Sequence, residues 1–325
     1  MSFSSALPAC HGTLQGRTAR TSRNCTRPAV SLPSERRLIV AVSFHIENVV
    51  ERIDPDVAVC PLVLDSPHSG STYPSDFGSR LPHIALRHTE DAFIDDLFGE
   101  APAYGATMVR ALFPRSYIDP NRAEDDLDPS MLDGVWPGEL NPGPKVALGI
   151  GLIPCREPGG EVYDRKLSVA EVRNRIDSFW RPYHETVSRT LDERRKAFGR
   201  VWHVNCHSMP ARSSNISPEG PGKLRPDMVI GDRDGSTCDP AFTDLIASTL
   251  RGYGYDVRVN DPYKGVELVR RYSNPADHRH SVQIEINRGL YMNEERVERS
   301  ADFVALKEKI TDLIRVLAEF ATAGR

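Results

Sequence analysis

Pro61-Leu62-Val63-Leu64-Asp65-Ser66-Pro67-His68-Ser69-Gly70 reads as a short buried strand that runs into a tight loop. An apolar run of this length suits a strand covered on both faces, and the Ser-Pro-His-Ser-Gly segment after it is turn-forming. In an open α/β sheet the loops after the strands' C-terminal ends are where ligands gather. Val201-Trp202-His203-Val204-Asn205 repeats the pattern, with Cys206-His207-Ser208-Met209-Pro210 as its loop. Two strands thus end in loops that carry a histidine.

Working outward, Asp91 to Phe98 predicts a helix with Phe93, Ile94, Leu97 and Phe98 inward and Asp91 and Asp95 one turn apart. Residues 120–167, rich in Gly and Pro, predict long loops over the sheet rather than core. Ser168 and Glu171 form a capping box for a helix whose stripe is Val172, Ile176, Phe179, Tyr183, Val187 and Leu191, with a kink at Pro182. Asp239-Pro240 opens a helix to Leu250, Tyr255 to Asn260 is a strand, and a last helix begins near Ser300. Val282, Ile284 and Ile286 alternate on a further strand, which sets Gln283, Glu285 and Asn287 on its other face. Strands alternating with helices predict an α/β fold, a mixed and mostly parallel sheet between helices, over residues 44–325 as one domain.

Composition narrows the function. The 325 residues carry 41 Lys+Arg and 45 Asp+Glu, a formal charge of −4, which excludes a basic face built for nucleic acid. No run approaches the about 18 apolar residues of a membrane span. The six cysteines are scattered without paired spacing, which suits a reducing, cytoplasmic setting, and Cys206 reads as a small buried thiol. Residues 1–34 contain no Asp or Glu but carry Arg17, Arg20, Arg23 and Arg27. A transit sequence, a disordered extension and a start codon set too far upstream all fit this composition, and residues 1–43 are read as an extension outside the domain.

Four groups of residues can do chemistry. His68 and His207, with one carboxylate, make a three-ligand set that leaves a position open for water. Asp91 is the candidate carboxylate, with Glu90 as the alternative and Asp95 as an acceptor that orients a ligand. Each histidine taken alone reads more readily as a hydrogen-bonded loop residue, and it is their pairing that points to a metal. Glu285 lies in an apolar strand, so its burial requires a partner: either a salt bridge to Arg288 or Arg270, or a nearby metal beside which it acts as general base and acid. Arg122, Arg270 and Arg288 sit in turn-like contexts where a guanidinium can take a substrate carboxylate in a bidentate pair.

The motifs SPHSG, TEDAFIDDLF, SYIDPNR, GLIP with a later Tyr163, FWRPYH, NCHSMP, RPD with GDRDG, PYKG with Arg270, and EINRGLYM follow one another over about residues 60–295. In this order the chain resembles the N-formylglutamate amidohydrolase family. The resemblance implies a three-layer α/β/α sandwich of the phosphorylase/hydrolase-like type, similar in plan to zinc carboxypeptidases. It implies zinc, or another divalent metal, held by His68, Asp91 and His207, with Glu285 as the catalytic glutamate. It makes Arg122, Tyr163, Arg270, Asn287 and Arg288 substrate contacts, and N-formyl-L-glutamate, a small N-acyl amino acid, the substrate of a monomer or small homo-oligomer. The chain departs from histidine-pathway members in having IDPNR for IDLNR, HSMPAR for HSIRS, and PYKGVELVRR where they carry a glycine pair before the arginine; these differences bear on the substrate. Deleting residues 1–34 is expected to leave kcat/KM unchanged, whereas a folded but inactive truncation would show that the tail reaches the site.

Overall fold

The computed structural model describes residues 42–323 except 215, 216, 218 and 219. The expected extension over residues 1–43 therefore lies outside the described residues, apart from Val42 and Ser43, which begin the first strand. Eight strands form one sheet: β1 (Val42–Ile46), β2 (Val50–Ile53), β3 (Leu62–Ser66), β4 (Thr107–Ala111), β5 (Val201–Met209), β6 (Met228–Gly231), β7 (Val257–Val259) and β8 (Arg279–Asn287). Their spatial order is β1-β2-β4-β3-β5-β8-β6-β7. The pairs β4–β3, β3–β5, β5–β8 and β6–β7 are parallel and the others antiparallel. This is the mixed, mostly parallel sheet read from the sequence.

Helices α1 (His83–Arg87), α2 (Ile94–Leu97), α3 (Val169–Arg175), α4 (Arg181–Phe198), α5 (Pro240–Gly252), α6 (Glu267–Tyr272) and α7 (Phe303–Ala323) complete it. Side-chain alternation along each strand divides the core into two layers. Leu62, Leu64, Val204, Cys206 and Ile284 pack with residues of α2, α5 and α7, while Val63, Val109 and Val201 pack with residues of α4 and α6. Among the described residues no helix is long and apolar enough to cross a membrane.

Several expectations are corrected. The Asp91–Phe98 helix shrinks to Ile94–Leu97, because Phe93 takes a left-handed φ of 68° and Asp91 is left in the preceding turn. Asp91 and Asp95 are therefore not stacked on one helix face. Residues 120–167 are not merely loops over the sheet: Leu127, Leu132, Leu152, Ile153, Val162 and Leu167 are buried in the second core layer. Ser168 does cap α3, accepting from Glu171 N at 3.1 Å, and a π-helical stretch at Ile176–Trp180 joins α3 to α4, which contains Pro182 near its start. β5 continues to Met209, so His207 sits inside a strand; parallel pairing with β8 carries on to Asn287 opposite Met209 and leaves no loop there.

Close backbone packing positions the first histidine loop. A Cβ built on Gly70 would fall 2.6 Å from Leu112 O and onto the carbonyl of Phe113, which are backbone atoms that cannot swing aside. Gly70→Ala is expected to lower stability by about 1–3 kcal/mol in urea unfolding, the scale of overpacking; an unchanged midpoint would show that the loop is free to move.

Candidate metal centre

The site grows out of the sheet. β3 is buried along its whole length, and after Ser66 the chain turns so that His68 stands at its end. Asp91 N donates to His68 O at 3.0 Å, which fastens the two segments together. His207 comes from β5, one strand over.

One ligand atom from each of His68, Asp91 and His207 lies within 4.8 Å of the others, and all three residues are buried. The imidazole rings are 4.7 Å apart at their centroids. Asp91 Oδ2 is 2.9 Å from His207 Nδ1 and 3.4 Å from His68 Nδ1. Among the described residues the His68 Nδ1 atom is buried with no hydrogen-bond partner. A buried nitrogen without a partner is costly, and two imidazoles with one carboxylate are the donor set a divalent transition metal takes. The residues fit the ion.

Groups behind the three atoms aim them. Asp119 Oδ1 accepts from His68 Nε2 at 2.7 Å and from Asn121 N at 2.8 Å, while Arg115 Nη2 donates to Asp119 Oδ2 at 2.7 Å. A carboxylate on the remote nitrogen of an imidazole fixes its tautomer and leaves the other nitrogen free to ligate. This is the part assigned from sequence to Asp95, which instead pairs with Arg110 at 3.0 Å. Arg288 Nη2 donates to Asp91 Oδ1 at 2.9 Å. Burial would raise the carboxyls of Asp91 and Asp119; the hydrogen bond from His207 and the charge of the two imidazoles hold Asp91 well below the usual range, and Arg115 and His68 do the same for Asp119. Burial pushes His207 downward, towards the neutral ring that a metal requires.

Glu285 is directly opposite His207 in the β5–β8 ladder. Its Oε1 accepts from Gln283 Nε2 at 2.6 Å, and it makes no ion pair with Arg288 or Arg270 among the described residues. Burial, and then the charge of Asp91, push its carboxyl up to about 8. Glu90 lies apart from the cluster, accepting from Tyr73 OH at 2.7 Å and Arg87 Nε at 3.1 Å.

The expected substrate contacts do not converge as a group. Arg288 also donates to Ser208 Oγ and His88 O, so its guanidinium is engaged within the chain. Arg270 is mostly exposed and pairs with Glu267 on its own helix. Tyr163 OH accepts from Arg175 Nη1 at 2.7 Å within a buried aromatic cage. Asn287 braces backbone, with Nδ2 donating to Pro226 O at 3.2 Å and Oδ1 accepting from Gly289 N at 2.9 Å. Arg122 is different: it is buried, donates to Ile150 O at 2.9 Å, and has no carboxylate within ion-pair distance among the described residues. Sequence reasoning missed Arg115, Asp119, Asp65 and Asn205. For the last two the signal was available, since a polar residue inside an apolar strand needs a partner, as was argued for Glu285.

The chain is similar to known proteins over most of its length. The family model "N-formylglutamate amidohydrolase" matches residues 60–292. An N-formylglutamate deformylase of Pseudomonas putida is 32% identical over 239 residues, spanning 72% of this chain and 82% of the relative. One from Pseudomonas aeruginosa is 30% identical and spans 72% and 83%. The crystal structure of N-formylglutamate amidohydrolase from Ralstonia eutropha JMP134 superposes with a TM-score of 0.81 at 44% identity, covering 86% of this chain and all of that one. The chain belongs to the N-formylglutamate amidohydrolase family.

Proposed function

We propose that this chain is a zinc-dependent hydrolase that converts N-formyl-L-glutamate to formate and L-glutamate. The observation that carries the reading is the convergence of His68 Nδ1, His207 Nδ1 and the Asp91 carboxylate beside Glu285, in a chain whose relatives at 30–32% identity are N-formylglutamate deformylases. His68, Asp91 and His207 hold the ion. When bound, it supplies Lewis acidity, polarising a carbonyl and making water acidic enough to attack at neutral pH.

The chain's own groups do the rest. Glu285, opposite His207 in the ladder, takes the proton of the attacking water and returns it to the departing nitrogen as the C–N bond breaks. Arg115 is a quarter exposed and keeps a guanidinium nitrogen 4.0 Å from Asp91 Oδ1, so a donor is available for charge that develops on the carbonyl oxygen. Arg122 takes a substrate carboxylate, which supplies the counter-charge its burial lacks. Arg288 and Asp119 hold the metal ligands rather than the substrate. Cytoplasmic action is the setting that the scattered spacing of the six cysteines in the sequence suits.

Three outcomes test the reading. His68→Ala and His207→Ala proteins should purify with little zinc by elemental analysis; full occupancy in both would remove the site. Glu285→Gln should retain zinc and lower kcat by about a hundredfold or more, the scale of a general acid/base, and parental turnover would place the proton transfer elsewhere. In a formate-release assay N-formylglutamate should exceed N-formylglutamine in kcat/KM by about tenfold or more, since about 1.4 kcal/mol of charge-assisted pairing is worth that factor. Equal rates would leave a metal amidohydrolase for another N-acyl amino acid.

A further inference from the structure

Below the three converging groups runs a buried row of polar residues. Asp65, the fourth residue of β3, is fully buried and receives three donors: Tyr183 OH on Oδ2 at 2.7 Å, and His203 Nε2 at 3.0 Å and Asn205 Nδ2 at 2.6 Å on Oδ1. Surrounded by donors, the Asp65 carboxyl stays ionised: burial raises it, and the charge and hydrogen bond of His203 with the bonds from Asn205 and Tyr183 bring it below its ordinary value. An ionised carboxylate has no hydrogen to give. Asn205 must therefore turn its NH2 to Asp65 and its carbonyl Oδ1 the other way.

On that other side Asn205 Oδ1 lies 2.6 Å from His207 Nε2. An amide oxygen only accepts, so Nε2 carries a ring hydrogen; Nδ1, 2.9 Å from Asp91 Oδ2, is then the nitrogen that gives up its hydrogen and offers its lone pair when a cation takes that place. A second amide pulls the opposite way. Asn121 Oδ1 accepts from Leu268 N at 3.0 Å, which turns Asn121 Nδ2 towards His207 Nε2 at 3.2 Å. An acceptor and a donor cannot both be satisfied at that nitrogen. The contact with Asn205 is the shorter, and the Asn205 amide has its own NH2 on a buried carboxylate, whereas the Asn121 amide is turned by a backbone N–H.

We propose that Asp65 is a positioning residue that sets the tautomer of His207 through the orientation of Asn205, and so keeps the Nδ1 lone pair available to a metal ion. The device works at two removes from the ion, since Asp65 touches neither His207 nor the other candidate ligands. This inference rests on the reading of His207 as a ligand, and the experiment separates the two.

Zinc affinity is measured by competition with a chromophoric chelator on the full chain, with circular dichroism to verify the fold of each variant. Asn205→Leu removes the acceptor and should weaken zinc binding by about tenfold or more, the scale for groups that orient metal ligands. Asn205→Asp, whose two oxygens both accept, should bind more tightly than Asn205→Leu. Asp65→Asn frees Asn205 to turn and should also weaken binding, and adding Asn205→Asp to it should restore affinity, because an aspartate at 205 presents an acceptor whichever way it faces. A purely structural role for Asp65 would not be rescued in that way, since Asp65 is still missing. Parental affinity in Asn205→Leu or Asp65→Asn overturns the proposal, as does a double variant that binds no more tightly than Asp65→Asn. If His207→Ala keeps parental affinity, the ligand reading itself fails and the proposal falls with it; loss in His207→Ala with no loss in Asp65→Asn or Asn205→Leu defeats the tautomer claim alone.

Discussion

The parallel register of three adjacent strands governs the site. β3, β5 and β8 align so that Asp65 stands beside Asn205, Asn205 beside Gln283, and His207 beside Glu285. Residues at i and i+2 share a face of a strand, so one side of these strands carries polar groups towards the helix of Tyr183 while the other carries Leu64, Val204, Cys206 and Ile284 into an apolar core. A slip of one residue would send His207 into that core and replace it with Cys206. The metal-capable cluster depends on this alignment before any single hydrogen bond.

Burying so many polar groups is unfavourable unless each is satisfied. Here the cost is offset by linkage. Asp91 faces two imidazoles with one oxygen and Arg288 with the other; Asp119 joins His68 to Arg115; Asp65 joins His203, Tyr183 and Asn205. Charges of opposite sign alternate through the cluster, which keeps the carboxylates ionised. The open valence left by these networks is the His68 Nδ1 atom, where a cation would sit.

Much of this was legible in the sequence because it follows from local pattern. The apolar run Leu62–Leu64 before a Ser-Pro-His turn, the alternation of Val282, Ile284 and Ile286, and the Ser168 cap each have one physical reading, and each appears as read. The short helix after Asp91 was not legible, since phenylalanine is not a residue type that marks the left-handed backbone Phe93 adopts. The fate of the arginines was equally hidden. Arg122, Arg270 and Arg288 look alike in sequence, and only tertiary contacts separate a buried guanidinium with no carboxylate from one on Glu267 and one on Asp91. Asp119 was overlooked although it stands two residues before Asn121 in a segment singled out for its arginine, because a partner fifty-one positions away cannot be seen from spacing.

The account turns on one claim, that His68, Asp91 and His207 form a single metal site. Diffraction from crystals of the zinc-loaded protein at wavelengths on either side of the zinc absorption edge tests it most directly. The account predicts one anomalous peak per chain, about 2.0–2.2 Å from both Nδ1 atoms and an Asp91 oxygen, the ordinary zinc distances to imidazole and carboxylate. A peak elsewhere on the chain, or none between the two imidazoles at saturating zinc, would contradict it.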